Sequence, residues 1–262
     1  MPVWGFAFRY VSHLLRSVDE HGIHAPFLYK LLTEAVYNKD ACSDFHYIED
    51  IRKKCLENHT RIEVLDLGAG SRLDGKNKNR SVHFICKSFA KNPGLCRVLH
   101  NTVRHLKPQT TLELGTSLGI STMYLATGFK DGTVYTIEGC PQTSKLARQH
   151  FNDAKIGNVV SITGGFDDVL PDLLHRTGKF DCVYIDGNHT YDATVRYFEM
   201  LIPFMHDGSC IIFDDIHWSA GMSKAWEHII TSNKVTLSVD FFHLGLVFFN
   251  SGLSKEHFRV RL

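Results

Sequence analysis

Blocks of apolar residues recur along the second half of the chain at two different spacings. Short continuous apolar runs, which are typical of buried strands, occur at residues 111–114, 133–137, 159–163, 180–187 and 208–215. Between them, apolar positions three or four residues apart predict helices, as for Val195, Phe198 and Leu201. Strands that alternate with helices predict an α/β fold with a parallel sheet.

The end of the chain carries a different pattern. After a predicted helix at 219–231, the runs VTLSVDFF and HLGLVFFN are joined by a short turn, which predicts an antiparallel hairpin. We therefore predict a Rossmann-like, doubly wound sheet of about seven strands, the last of them antiparallel. Residues 108–262 would form this domain.

Residues 1–107 predict a helical N-terminal extension. Helical spacing relates five apolar residues, namely Phe6, Tyr10, Val11, Leu14 and Leu15. A second helix follows the segment HGIHAPF, with Pro26 suited to its first turn. His21 and His24 of this segment have no third metal ligand nearby in sequence. We therefore favour a polar cap, a packed surface turn or a wall of the substrate pocket over a metal site.

The stretch from Thr111 to Glu138 predicts a cofactor site. It consists of a strand, a glycine turn, a helix and a second strand that ends on Glu138. Gly115 and Gly119 permit a sharp turn and a close approach to a ligand, and an acid at the tip of the second strand can bind both hydroxyls of a ribose. Glu113, just before the turn, would repel a pyrophosphate but suits a ligand with an ammonium group.

A second glycine motif, IEVLDLGAGS at residues 62–71, is a rival cofactor loop. The polar run LDGKNKNRSVHF follows it, instead of a helix and an acid-tipped strand. We therefore predict a Gly-rich flap at 62–80 that closes over a ligand, followed by lead-in helices within 81–106. If this loop bound the cofactor instead, Asp66 would be needed for binding.

Acidic residues also end the later strands. Asp186 ends the run 180–187, and Asp214 and Asp215 end the run 208–215. Ligands of open α/β sheets bind at the carboxyl ends of strands, and three oxygen ligands with room for water describe a Mg²⁺ site. The alternative is that Asp186 contacts only the cofactor while the Asp pair caps a helix.

The pattern E-x-G-x-S-x-G-x-S, from Glu113 to Ser121, resembles motif I of class I S-adenosylmethionine (SAM) methyltransferases. Within that class it is most similar to the metal-dependent catechol-type and macrolide-sugar O-methyltransferases, over residues 81–250. The resemblance implies SAM as cofactor and a set of contacts to it: Glu113, Gly115, Thr116, Ser117, Gly119, Ser121, Glu138, Phe166, Asp167 and Asp186. In GFDDVLP, Phe166 would contact the adenine ring and Asp167 its amino group. The alternative interpretation, that Asp167 or Asp168 caps a helix that begins at Val169, is compatible with these contacts.

The resemblance also implies Mg²⁺, bound by Asp186, Asp214 and Asp215, and O-methylation of a small-molecule hydroxyl. His189 stands where the catechol type has a catalytic lysine, and its ordinary pKa of about 6.5 suits a general base. His217 is the rival base or a fourth metal ligand. The alternatives are a metal-independent methyltransferase with a histidine base, a SAM-binding protein without catalysis, and an NAD-dependent oxidoreductase. Glu113 and Ser117 disfavour the oxidoreductase.

The composition of the chain restricts the classes of binding partner and the location that we expect for the protein. A formal net charge of +1 argues against a nucleic acid or an anionic membrane as the main partner, and no apolar run approaches the roughly 18 residues of a membrane span. Seven cysteines without CxxC spacing indicate reduced thiols, and Arg9 interrupts the first apolar run, which is atypical of a signal peptide. We expect a cytoplasmic enzyme that acts on a small molecule, with a homodimer as a possible assembly.

Overall fold

The computed structural model of the protein describes residues 3–40, 42–65, 79–252 and 254–262. The α-helices in these ranges are α1 (Val3–Arg16), α2 (Pro26–Lys30), α3 (Asp44–Glu57), α4 (Val82–Phe89), α5 (Pro93–Leu106), α6 (Ile120–Gly128), α7 (Pro141–Asp153), α8 (Phe166–Thr177), α9 (Tyr191–Leu201) and α10 (Ala220–Thr231). The strands are β1 (Arg61–Glu63), β2 (Asn79–Ser81), β3 (Thr110–Leu114), β4 (Thr133–Glu138), β5 (Val159–Thr163), β6 (Cys182–Ile185), β7 (Cys210–Asp214), β8 (Leu237–Asp240), β9 (Leu244–Phe248) and β10 (Glu256–Arg259).

The chain forms two compact units. The first unit combines the residues up to Thr33 with Pro171–Leu262, and the second unit is Glu34–Leu170. The predicted boundary between residues 107 and 108 falls inside the second unit, between α5 and β3. The assignment of residues 1–107 to a separate extension stays a prediction.

The second unit contains the parallel strands β3, β4 and β5, with β4 paired to both of the others. In this register Glu113 lies opposite Thr136, and Glu138 lies opposite Thr163. The β3–α6–β4 arrangement confirms the elements predicted for residues 111–138. Alternating parallel strands and helices are the consequence of continuous apolar runs joined by amphipathic segments.

Helices α3, α4 and α5 belong to the same unit and share its apolar core, in which Phe45, Ile85 and Tyr124 are buried. The predicted helical region 81–106 is two helices, because Pro93 lacks an N–H donor and starts a new helix at its first position. Ser81 caps α4 by accepting a hydrogen bond from the Phe84 amide at 3.1 Å.

Strands β1 and β2 form an antiparallel pair, with Arg61 opposite Ser81. In sequence, they stand at the two ends of the flap predicted for residues 62–80. Residues 66–78 of that flap, including Asp66, lie outside the described residues, so the flap stays a prediction.

The first unit contains the strand order β10–β8–β9–β7–β6. Strands β6 and β7 are parallel, while β9 pairs antiparallel with both β7 and β8. This confirms the predicted hairpin of the last two apolar runs. The first unit carries one strand beyond those predicted for it, because β10 follows the hairpin and pairs parallel with β8.

Helix α1 belongs to the first unit and packs on Phe242. The rings of Phe6, Tyr10 and His13 lie 5.2, 4.9 and 5.5 Å from the Phe242 ring, measured between centroids. These three residues are spaced as one face of a helix. The helix predicted here is confirmed, but four of the five members of its predicted apolar stripe, Tyr10, Val11, Leu14 and Leu15, are exposed.

Two general features complete the fold. Among the described helices, none has both the length and the apolar character needed to cross a membrane. All seven cysteines are free thiols, and six of them are buried.

Candidate functional site

The glycine-rich turn after β3 has the left-handed backbone that its sequence predicts. Gly115 has φ +108°, Gly119 has φ +81°, and Ser117 between them has φ +48°. A Cβ atom added to Gly119 would lie 2.5 Å from a ring carbon of Phe151, so only glycine fits there. The turn leads directly into α6, whose first amide groups lack partners within the helix and can bind a ligand.

Glu138 ends β4 beside this turn, and two backbone amides hold its carboxylate. The Ser117 amide donates to Oε2 at 2.7 Å, and the Cys140 amide donates to Oε1 at 2.9 Å. Both bonds are charge-assisted and fix the orientation of the carboxylate. An ionised carboxylate has about four acceptor positions, so the predicted contact with ribose hydroxyls is compatible with these bonds and stays a prediction.

Glu113 is fully buried, and three hydroxyl groups donate to its carboxylate. Ser121 Oγ donates to Oε1 and Thr136 Oγ1 donates to Oε2, both at 2.6 Å, and Thr122 Oγ1 also donates to Oε2. Burying a carboxylate requires such donors. Glu113 therefore ties β3 to β4 and α6, a role that sequence analysis missed. Its predicted contact with an ammonium group stays a prediction.

The hydroxyl groups of this region form one network. Thr116 Oγ1 lies 2.6 Å from Thr136 Oγ1, which in turn donates to Glu113. Thr116 and Ser121, both predicted to contact the cofactor, are therefore held in fixed positions by the polar core of the second unit.

Phe166 and Asp167 form the beginning of α8, which starts at Phe166. The alternative interpretation, in which Asp167 or Asp168 caps a helix that begins at Val169, is wrong because the helix starts three residues earlier. Both aspartates lie in its first turn, where negative charge interacts favourably with the helix dipole.

The first unit brings together Asp186, His189 and Asp214. Each offers one ligand atom, and these atoms lie within 4.8 Å of one another. Asp214 ends β7 and is 1% exposed. Asp186 follows the neighbouring strand β6, accepts a hydrogen bond from the Tyr184 hydroxyl at 3.1 Å, and lies 3.4 Å from His189 Nε2. Two carboxylates and an imidazole at this spacing fit a divalent cation.

Asp215, predicted as a metal ligand, is not one of the three residues of this described cluster. Its backbone has φ +50°, its amide donates to His243 O at 2.7 Å, and its carbonyl accepts from Trp218 N at 2.8 Å. His189, predicted as the base, supplies the third ligand atom instead. The predicted roles of these residues remain predictions.

His217 lies in a different cluster of the first unit, with His13 and Asp240. Its Nε2 atom is 2.8 Å from Asp240 Oδ2, and its Nδ1 atom is 3.2 Å from Ser223 Oγ. Sequence analysis predicted no role for His13 or Asp240, the other two residues of this cluster. Asp240 ends β8, so it could have been found by the rule that acids at strand ends mark a site, whereas His13 is surrounded by apolar residues and gives no such signal.

Burial and charge shift the pKa values in this cluster. Burial lowers the pKa of His13 by more than the charge of Asp240 raises it. Burial opposes the ionisation of Asp240, but the hydrogen bond and charge of His217, together with the Phe242 amide, hold its pKa below the ordinary value. Asp240 is thus an ionised carboxylate at neutral pH.

Comparison with known proteins finds similarity to methyltransferases. Residues 112–216 match the family described as a methyltransferase domain. A catechol O-methyltransferase from Mycobacterium tuberculosis is 31% identical over 119 residues, which are 45% of this chain and 52% of that protein. An O-methyltransferase from Aspergillus hancockii, hkm8, is 25% identical over 161 residues, which are 56% of this chain and 63% of that protein. The chain thus spans between half and two thirds of the length of these relatives.

Solved structures show the same fold. The O-methyltransferase of Bacillus cereus in complex with SAH has a TM-score of 0.56 at 19% identity, and the similarity covers 85% of this chain and 97% of that chain. The Rossmann-like α/β fold predicted from the alternation of strands and helices is therefore confirmed.

Proposed function

We propose that this chain, whose residues 112–216 match a methyltransferase domain, is an O-methyltransferase that uses SAM. The observation that carries the proposal is the position of the glycine turn, with its left-handed residues Gly115, Ser117 and Gly119, inside the matched segment. The curated relatives support O-methylation, since those compared above are named as O-methyltransferases.

The second unit would bind the cofactor. Glu138, oriented by the Ser117 and Cys140 amides, would accept hydrogen bonds from the ribose hydroxyls. Glu113 would contribute negative charge near the ammonium group, and Phe166 and Asp167 would contact the adenine. Bound SAM supplies the electrophilic methyl group, while the protein aligns the acceptor oxygen with it, which is mainly a proximity effect.

Calorimetric titration with SAM and, separately, with NAD tests this assignment. We expect binding of SAM and no binding of NAD. Replacing Glu138 by Gln should weaken SAM binding by about 1–3 kcal/mol, because the ribose hydroxyls lose a charged acceptor. Asp66→Ala is the control and should bind SAM as the wild type does. Loss of binding in Asp66→Ala with no change in Glu138→Gln would move the site to the 62–71 loop, and binding of NAD alone would refute the proposal.

Asp186, His189 and Asp214 would hold a divalent cation, Mg²⁺ being the one that the resemblance implies. The support is that their ligand atoms lie within 4.8 Å of one another. A cation at this place would lower the pKa of an acceptor hydroxyl and orient it. The nitrogen ligand also suits Mn²⁺ or Zn²⁺, so several ions belong in the assay.

A second candidate mechanism needs no metal. His189 Nε2 faces Asp186 at 3.4 Å, an arrangement in which a carboxylate orients a histidine whose Nδ1 atom takes the proton of the acceptor. The two mechanisms exclude each other at Nε2, since this nitrogen either carries a proton or binds a cation. The metal mechanism predicts that EDTA abolishes turnover and that added Mg²⁺ restores it. The His-base mechanism predicts turnover that EDTA leaves unchanged.

The acceptor would be a hydroxyl group of a small molecule. Catechol is the first compound to test, because it is the substrate class in the name of the M. tuberculosis relative. Incubation with SAM and a panel of catechols and other phenols, followed by mass spectrometry, should show a methylated product and SAH. SAM binding without methyl transfer to any acceptor would favour the alternative of a binding protein without catalysis.

A further inference from the structure

The first unit contains a group of metal-ligand side chains that the proposed reaction does not use. We propose that His13, His217 and Asp240 form a binding site for a divalent transition cation, with Zn²⁺ as the expected occupant, and that this cation fastens α1 to the sheet of the first unit. The proposal does not depend on the methyltransferase assignment.

The distances fit such a cation. One ligand atom from each residue lies within 4.8 Å of the other two. His13 Nδ1 is 3.4 Å from Asp240 Oδ1, and two ligands about 2.1 Å from a tetrahedral zinc ion are separated by about 3.4 Å. His217 Nε2 is 2.8 Å from Asp240 Oδ2, so this pair must separate by about half an ångström to admit the ion.

The hydrogen bonds of His13 leave one nitrogen directed at the carboxylate. Its Nε2 atom lies 3.3 Å from the Val260 carbonyl oxygen, which can only accept, so Nε2 carries the proton. In the neutral ring Nδ1 then has a lone pair, and this buried atom makes no hydrogen bond. A lone pair that faces a carboxylate oxygen is unfavourable unless a positive charge lies between them.

The surrounding contacts resemble those of known metal sites, where the second nitrogen of a ligating histidine is usually hydrogen-bonded. His13 donates to the Val260 carbonyl, and His217 Nδ1 lies 3.2 Å from the Ser223 hydroxyl. When His217 binds the cation through Nε2, its proton is on Nδ1 and is donated to Ser223. Asp240 is held by the Phe242 amide, which donates to Oδ1 at 2.8 Å.

The ligand set selects the kind of cation. Two imidazoles and one carboxylate favour zinc and neighbouring transition metals over Mg²⁺ and Ca²⁺, which prefer oxygen. The three residues come from α1, from the loop after β7 and from the end of β8, which are far apart in sequence. A cation bound to all three therefore stabilises the docking of α1 within this unit.

The test uses the full chain with Asp186→Asn and Asp214→Asn, which removes the other candidate metal cluster. We expect this variant to bind one equivalent of Co²⁺, with the visible absorption bands of a four-coordinate ion, and to release it to Zn²⁺. Zn²⁺ should raise its melting temperature in proportion to the logarithm of free ion concentration, and EDTA should increase proteolysis between α1 and α2.

Three substitutions and a control identify the ligands. His13→Gln and Asp240→Asn should each abolish the Co²⁺ bands, and Ser223→Ala should weaken Co²⁺ binding by about tenfold. The matched control is His206→Gln, because His206 Nε2 also lies 2.8 Å from a carboxylate, that of Asp181, but belongs to no three-residue cluster of the described chain. It should bind Co²⁺ normally.

The proposal is overturned if the Asp186→Asn/Asp214→Asn chain takes up no Co²⁺ or Zn²⁺, or if its Co²⁺ bands survive both His13→Gln and Asp240→Asn. Should those two variants fail to fold, the Ser223→Ala result decides: unchanged affinity contradicts the site. Should the double background fail to fold, the wild type must bind more Co²⁺ than Ser223→Ala does, by about half an equivalent at a free ion concentration between the two dissociation constants.

Discussion

Gly119 is a residue whose backbone angle and surroundings both require glycine. Its φ is +81°, and a Cβ atom would lie 2.5 Å from Phe151. Gly178 has the same φ of +81° but nothing within 4 Å of the added atom. The pair therefore separates the cost of left-handed backbone from the cost of overpacking.

We expect Gly119→Ala to lower the free energy of unfolding by about 2–4 kcal/mol, the sum of backbone strain and overpacking. Gly178→Ala, which has only the strain, should lose about 1–2 kcal/mol. Urea denaturation of the two variants measures both. Equal losses would show that Phe151 moves aside without cost.

His100 predicts how stability depends on pH. It is 1% exposed, its Nδ1 atom is 3.2 Å from the Tyr124 carbonyl, and burial lowers its pKa from 6.5 to about 4. Between these two values the unfolded chain binds a proton that the folded chain does not. The contribution of neutral His100 to the free energy of unfolding is therefore fully present above pH 6.5. It falls as the pH drops toward about 4, by up to about 3 kcal/mol.

A comparison of His100→Gln with the wild type at pH 7 and pH 4.5 isolates this contribution. The variant keeps a side-chain donor but has no group that titrates, so its stability should decrease less between the two pH values. An identical decrease in both proteins would contradict the prediction.

At the scale of elements, the sequence predicted the β3–α6–β4 segment to within two residues at each end. Continuous apolar runs and glycine turns are local signals, so they locate strands and turns well. The hydrogen bonds of Glu113 were not predictable, because they depend on the register that places Thr136 opposite it. The start of α8 was misplaced because aspartates are common both at caps and in first turns.

The bond from Thr136 to Glu113 gives an element-scale prediction. Thr136→Val preserves shape but removes a hydroxyl that donates to a buried carboxylate at 2.6 Å. We expect a loss of about 1.5–3 kcal/mol, the usual range for a hydrogen bond to a charged group. Thr133→Val is the control on the same strand, since Thr133 lies opposite Thr110 and not opposite Glu113. Similar denaturation midpoints for the two variants would show that Glu113 finds another donor.

At the scale of the whole molecule, what the sequence could not predict is long-range. Helical spacing identified α1, but not which of its faces is buried, because that depends on Phe242 at the other end of the chain. For the same reason His13 passed unnoticed. The rule that acids at strand ends mark a site identified Asp186 and Asp214. Only the fold shows that His189 belongs to the same cluster of ligand atoms and that Asp215 does not.

The two units give the last prediction, which concerns where each ligand acts. The residues predicted to bind SAM lie mostly in the second unit, whereas both metal clusters lie in the first. A ligand suppresses local opening where it binds. In hydrogen-exchange mass spectrometry, SAH should therefore slow exchange of peptides that cover 115–121 and 138–140, whose amides surround Glu138. Mg²⁺ should slow exchange around 186–190 and 214–218, and Zn²⁺ around 8–16 and 237–243.

Asp214→Asn should remove the Mg²⁺ effect and leave the SAH effect intact. Protection of the same peptides by all three ligands would instead indicate one cooperative unit, and no effect of SAH on 115–121 would count against the cofactor site.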